Sequence, residues 1–283
     1  MREIAGIRIP DSKLSVAALD LVKAESHASI YKHVLRTFVF GALAARAEGI
    51  KFDEELFFLG AVLHDLGLTE RFGARAGRFE VVGADAAQSY LAGEGVAADR
   101  AAVVWEAIAL HTSNGIALRR APEVVLVHIG ASIDVMGLGL ERFPPTVVQQ
   151  TIEALPRDNF KKVFVDALFA RVQKDPQSVA LTWMSGPLEG MSTGSSVQTL
   201  LTSYQPPILQ SERLGTRSVP MDDGAGHRDR SVGHGSEFPP SRDDSNLKES
   251  GYDGANRGRE KQRARHRILR TLYKPKKANR IGW

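Results

Sequence analysis

From Ser12 to about Gly186 the apolar residues recur at intervals of three and four, and each run is closed by Gly, Pro or Asp. This is the period of an amphipathic helix, because residues three and four apart share one helical face. Little in the stretch alternates as a strand does. Helices are expected from Asp11 or Ser12 through Ala24, from about Ala28 to Glu48 ahead of Gly49, and from behind Asp53 to Gly67. Others are expected at Ala84–Leu91, Ala97–His111, Pro122–Met136, Thr146–Leu155, Phe160–Gln173 and Ser178–Met184. The fold class is therefore all-α, a multi-helix bundle over residues 12–187.

The pattern changes after Gly186. Residues 188–256 are rich in Ser, Gly, Pro and Asp and offer little periodic apolar surface, so burial there does not repay the entropy of ordering the chain. This segment is expected to be disordered. Residues 257–283 form a basic tail of eleven Lys and Arg against Glu260 alone, although the whole chain is only +4. The tail is read either as an arm for nucleic acid or an anionic lipid surface, or as a solvated charge run.

The chain has no Cys, which excludes disulfides, thiolate metal sites, iron–sulfur clusters and a cysteine nucleophile. A bound metal would have to use His, Asp, Glu or backbone oxygen. The most apolar stretches, Leu56–Leu63 and Val124–Ile133, are too short to span a bilayer, and no signal-like stretch precedes Pro10. A cytoplasmic protein without a transmembrane segment is expected, with oligomerisation left open.

The strongest chemical signal is His64-Asp65 at the end of the apolar helix EELFFLGAVLHDLG. An imidazole and a carboxylate at the buried end of a core-facing helix need compensation, which a cation supplies. His33 in SIYKHVLRTFVFG and Asp134 in HIGASIDVMG add a second imidazole and a second carboxylate inside apolar helices. Taken singly, each has a plainer reading: His33 as a hydrogen-bonded core histidine, Asp65 as a helix-end residue, Asp134 as the partner of a nearby Arg or Lys. Taken together, three helices delivering polar groups to one core favour a metal.

This order, His33, then His64-Asp65, then Asp134, resembles the HD superfamily of metal-dependent hydrolases over residues 12–187. Within it, HVLRTFVFG, AVLHDLGLT, RFEVVGADAA and WEAIALHTSNGI are similar to the cyanamide hydratase-like branch. The resemblance implies a divalent ion, zinc first with iron or manganese as alternatives, held by His33, His64, Asp65 and Asp134. It also implies a mononuclear site with His111, Thr112 and Asn114 lining the substrate pocket. Members of the branch often carry Asn where this chain has Lys32, so Lys32 is a further candidate for substrate contact.

Two neutral His and two Asp around a divalent ion leave no net charge, and such a site acidifies water less than a three-histidine one. A nearby base is then expected. Asp65 and Glu80 are assigned catalytic roles, with Asp85 and His111 as alternatives to Glu80, which can also be a capping carboxylate. In the wider superfamily extra histidines bind a second metal, a role open to His111. His128 lies six positions before Asp134 and points away from it on an ideal helix, so it is read as structural.

Three functions compete. In the first, hydroxide generated at the metal attacks the carbon of a small nitrile-like substrate, as in cyanamide to urea. The second is a phosphohydrolase acting on a nucleotide or other phosphoester, with Arg71, Arg75 or Arg78 clamping phosphate. The third is a binding protein that works through its basic tail.

Overall fold

The computed structural model describes residues 3–179. The remainder of the expected Ser178–Met184 helix, the 188–256 segment and the basic tail lie outside the described residues. Within them the chain is all-α apart from one short hairpin. The helices are α1 (Lys13–Glu25), α2 (Ala28–Glu48), α3 (Glu54–Leu63), α4 (Phe79–Gly93), α5 (Ala98–Leu110), α6 (Pro122–Met136), α7 (Pro145–Ala154) and α8 (Phe160–Lys174).

The helix ends follow local chemistry. The Ser12 hydroxyl caps α1 by accepting from Ser15 N at 3.0 Å, and the Asp53 carboxylate caps α3 through Leu56 N at 3.0 Å. Helices α2 and α6 end on Gly49 and Gly137, both left-handed. The α2 and α6 spans are those expected. The structure corrects α3: the helix ends at Leu63, His64 is its C-cap, and Leu66–Leu68 forms a separate 3-10 turn. The His-Asp pair therefore sits at a break in the backbone, not inside a continuous helix.

The hairpin, β1 (Glu3–Ile4) with β2 (Ile7–Arg8), was not expected from the helical pattern. Its signal is local: Ile4, Ile7 and Ile9 are buried, and the two-residue Ala5-Gly6 link has positive φ at both positions, as tight hairpin turns require.

Helices α2, α3 and α6 form the centre of the bundle, where Phe38, Phe57, Phe58, Leu59, Leu63 and Leu126 are buried. Helices α2 and α6 approach backbone to backbone. A Cβ on Gly130 would stand 2.0 Å from Thr37 O, and one on Gly41 would stand 2.7 Å from Leu126 O. The two glycines thus set the separation at which His33 and Asp134, on opposite helices, meet. Helix α8 lies across the end of α2 and adds a smaller cluster containing Phe79, Phe160, Phe164 and Leu168.

Candidate metal centre

Three side chains converge where α2 passes the exit of α3. His33 Nε2 and His64 Nε2 are 3.2 Å apart, and Asp65 Oδ2 stands 3.5 Å from the first and 3.3 Å from the second. All three residues are at most 2% exposed. Among the described residues this is the group of His and carboxylate donors arranged to hold an ion.

The protonation pattern tests whether a cation fits. His33 Nδ1 donates to Asp134 Oδ2 at 2.6 Å, and His64 Nδ1 donates to Ala61 O at 2.8 Å. With both protons committed, the neutral rings face each other through Nε2 lone pairs at 3.2 Å. Burial pushes the His33 pKa below its ordinary value, and Asp134 only partly opposes this, so the ring resists taking a proton between the nitrogens. Both Asp65 carboxylate oxygens are buried and make no hydrogen bond within the described residues. Two lone pairs and an orphaned carboxylate form an electron-rich focus that needs positive charge. Donor atoms about 2.0–2.1 Å from a tetrahedral ion stand roughly 3.3 Å apart. The observed spacings match, and the oxygen and nitrogen donors suit a divalent ion.

Asp134 approaches from behind His33. Its carboxylate takes two hydrogen bonds from Arg36, at 2.8 and 2.9 Å, and one from Arg157 at 2.8 Å. Burial alone would raise this carboxyl, but Arg36, Arg157 and His33 hold it well below the ordinary carboxylate range. Asp134 is thus both paired with arginine and attached to the site through His33. Arg36 was not singled out in the sequence, although it lies three positions after His33 on the same helical face. Arg157, in the turn before α8, has no local signal at all.

A cavity of about 170 Å³ opens beside the cluster, lined by His33, His64, Asp65, His111, Thr112 and Asn114. Its remaining walls come from α6 and α8 and include His128, Ser132, Met136 and Phe164. His111 Nε2 is 3.9 Å from Asp65 Oδ1, while its Nδ1 donates to Ile108 O at 2.7 Å. Burial, reinforced by neighbouring His64, puts the His111 pKa well below normal. His128, expected to be structural, is on the cavity wall.

Other expected residues lie elsewhere. Lys32 pairs with Asp158 and is not on the cavity wall. Glu80 is fully buried in the first turn of α4, where Arg78 donates to it at 2.9 Å and the Thr112 hydroxyl also bonds to it. It meets the cavity through Thr112. Asp85 is half-buried, accepting from Trp105 Nε1 and pairing with Arg75. Arg71 is paired with Glu25. The loop bearing these arginines is pinned by Arg171 of α8, which bonds the carbonyls of Gly73, Arg75 and Gly77.

The central part of the chain matches a known family. Residues 30–139 match the HD domain. The matched segment begins three residues before His33, contains His64, Asp65 and Asp134, and ends just beyond α6. Members of the HD family are generally metal-dependent hydrolases. No curated protein matches the chain. Helix α8, which stacks Phe160 on the His33 ring at 4.4 Å and places Phe164 in the cavity wall, lies beyond the matched HD segment. No helix among the described residues is long and apolar enough to cross a membrane.

Proposed function

We propose that this HD-domain chain is a metal-dependent enzyme that adds water to a small nitrile-like carbon, in the manner of cyanamide hydratases. The observation that carries the metal-dependent part is the orphaned Asp65 carboxylate between two Nε2 lone pairs. A divalent ion there would acidify water and polarise the substrate. His33, His64 and Asp65 would hold the ion, while Asp134 orients His33 and would make it a stronger donor to it. His111 Nε2, beside Asp65 and with its Nδ1 proton given to Ile108 O, would accept a hydrogen bond from water or substrate in the cavity. Glu80, held by Arg78, fixes the Thr112 hydroxyl on the cavity wall.

The size of the cavity supports a small substrate. A void of about 150 Å³ holds a molecule the size of benzene, and this one is about 170 Å³. A phosphoester reading needs an anion clamp, whereas Arg71, Arg75 and Arg78 are each paired with a carboxylate and none lines the cavity. The test is activity of one metal-loaded sample on cyanamide and on a generic phosphoester. Urea release without phosphate release supports the proposal; the reverse rejects it.

A further inference from the structure

His128 is 95% buried on α6, yet nothing in the metal cluster uses it. Its Nδ1 donates to His111 O at 2.8 Å, which fixes the tautomer and leaves Nε2 as an acceptor. That nitrogen makes no hydrogen bond within the described residues, although the ring lines the cavity. Helical spacing puts Ser132, one turn further along α6, on the same face and in the same wall. Asp134 lies on a different face, so α6 supports His33 with one side and presents an acceptor to the cavity with another.

An acceptor on the cavity wall is open to a ligand N–H or O–H, which would take the place of water there. We infer that His128 Nε2 binds the substrate by accepting a hydrogen bond from an N–H or O–H group, so that the substrate class is small molecules carrying such a donor beside the electrophilic carbon. The inference rests on the cavity being the substrate site of the proposed enzyme. It distinguishes an amino-substituted nitrile, amide or urea from its fully N-alkylated counterpart. A site built to pair a polar group discriminates strongly against analogues that lack it, because its own group is then left unpaired.

The test uses the full chain loaded with metal and measures binding of two probe pairs, cyanamide with dimethylcyanamide and urea with tetramethylurea. The parent protein should prefer the N–H-bearing member by about tenfold or more. His128→Asn keeps a donor for the His111 carbonyl but has no acceptor at the Nε2 position, and should erase the preference with metal content unchanged. His128→Gln, whose amide oxygen reaches towards that position, should restore part of it. An equal preference in His128→Asn overturns the inference, as does a parent that shows no preference or binds neither member. Loss of metal in His128→Asn also overturns it, by making the residue a support of the metal centre. Failure to form urea from cyanamide rejects the hydratase reading separately, because donor preference is read from binding alone.

Discussion

His33 and Asp134 meet across the α2–α6 interface with Nδ1 and Oδ2 2.6 Å apart, and this contact determines which nitrogen of His33 faces the cluster. The carboxylate also pairs with Arg36 and Arg157, so one buried residue anchors an imidazole of the candidate metal centre and two guanidinium groups. Stability and any metal affinity of the centre are therefore expected to be coupled at Asp134.

Asp134→Asn should therefore show both effects. Removing one member of a buried charged network leaves its partners uncompensated and costs about 3–5 kcal/mol. Loss of the hydrogen bond to a metal-binding histidine lowers metal affinity by about 10–100-fold. Denaturant unfolding and metal titration of the same preparation check the two figures. Unchanged stability would contradict the network as described.

Gly130→Ala tests the helix contact that brings these residues together. Its Cβ would fall 2.0 Å from Thr37 O, a backbone atom that cannot rotate away. Helices α2 and α6 must separate, at a cost of about 1–3 kcal/mol. Metal affinity should fall with stability, because His33 and Asp134 move apart. A fully stable variant with parental metal affinity would show that the interface yields freely.

Acid sensitivity should include a contribution from the cap of α3. Burial would raise the Asp53 pKa, but the backbone hydrogen bond from Leu56 and the ion pair with Arg100 bring it below its ordinary 3.8. A carboxyl lowered on folding contributes stability above its unfolded pKa and loses it as pH falls through the folded value. Asp53→Asn, which can still cap, should be less stable than the parent at pH 7, and the difference should shrink below about pH 4. Unfolding curves across this range provide the check, and a gap that widens in acid would contradict the assignment.

Glu80→Gln separates positioning from metal binding. The carboxylate touches Arg78 and Thr112 but none of the three cluster residues. Metal content should remain at the parental level while turnover on cyanamide falls by about tenfold or more. Loss of metal would place Glu80 in the metal centre itself.

Much of the helical frame was legible because it depends on local signals. Ser12, Asp53, Gly49 and Gly137 mark helix ends through capping or left-handed backbone, and they act where the sequence pattern places them. The His64-Asp65 pair was legible through its conflict with an apolar helix. What it did not reveal was the break after Leu63, where the 3-10 turn at Leu66–Leu68 packs against α4 through a close approach of Gly67 to Phe79 and Gly83. Long-range partners were also hidden. Arg157 and Arg171 look like ordinary surface arginines in sequence, and only tertiary packing brings one to Asp134 and the other to the 73–77 loop. His128 shows the same limit in reverse, since a six-residue separation from Asp134 says nothing of the cavity that lies on its own side.

An ion at His33, His64 and Asp65 is the central feature of the proposed enzyme. Metal analysis of the purified chain beside His64→Ala, with circular dichroism to confirm that both are helical, tests this. The prediction is about one divalent ion per chain in the parent and none in the variant. A folded parent that takes up no divalent ion, or a variant that holds as much as the parent, would contradict the metal centre.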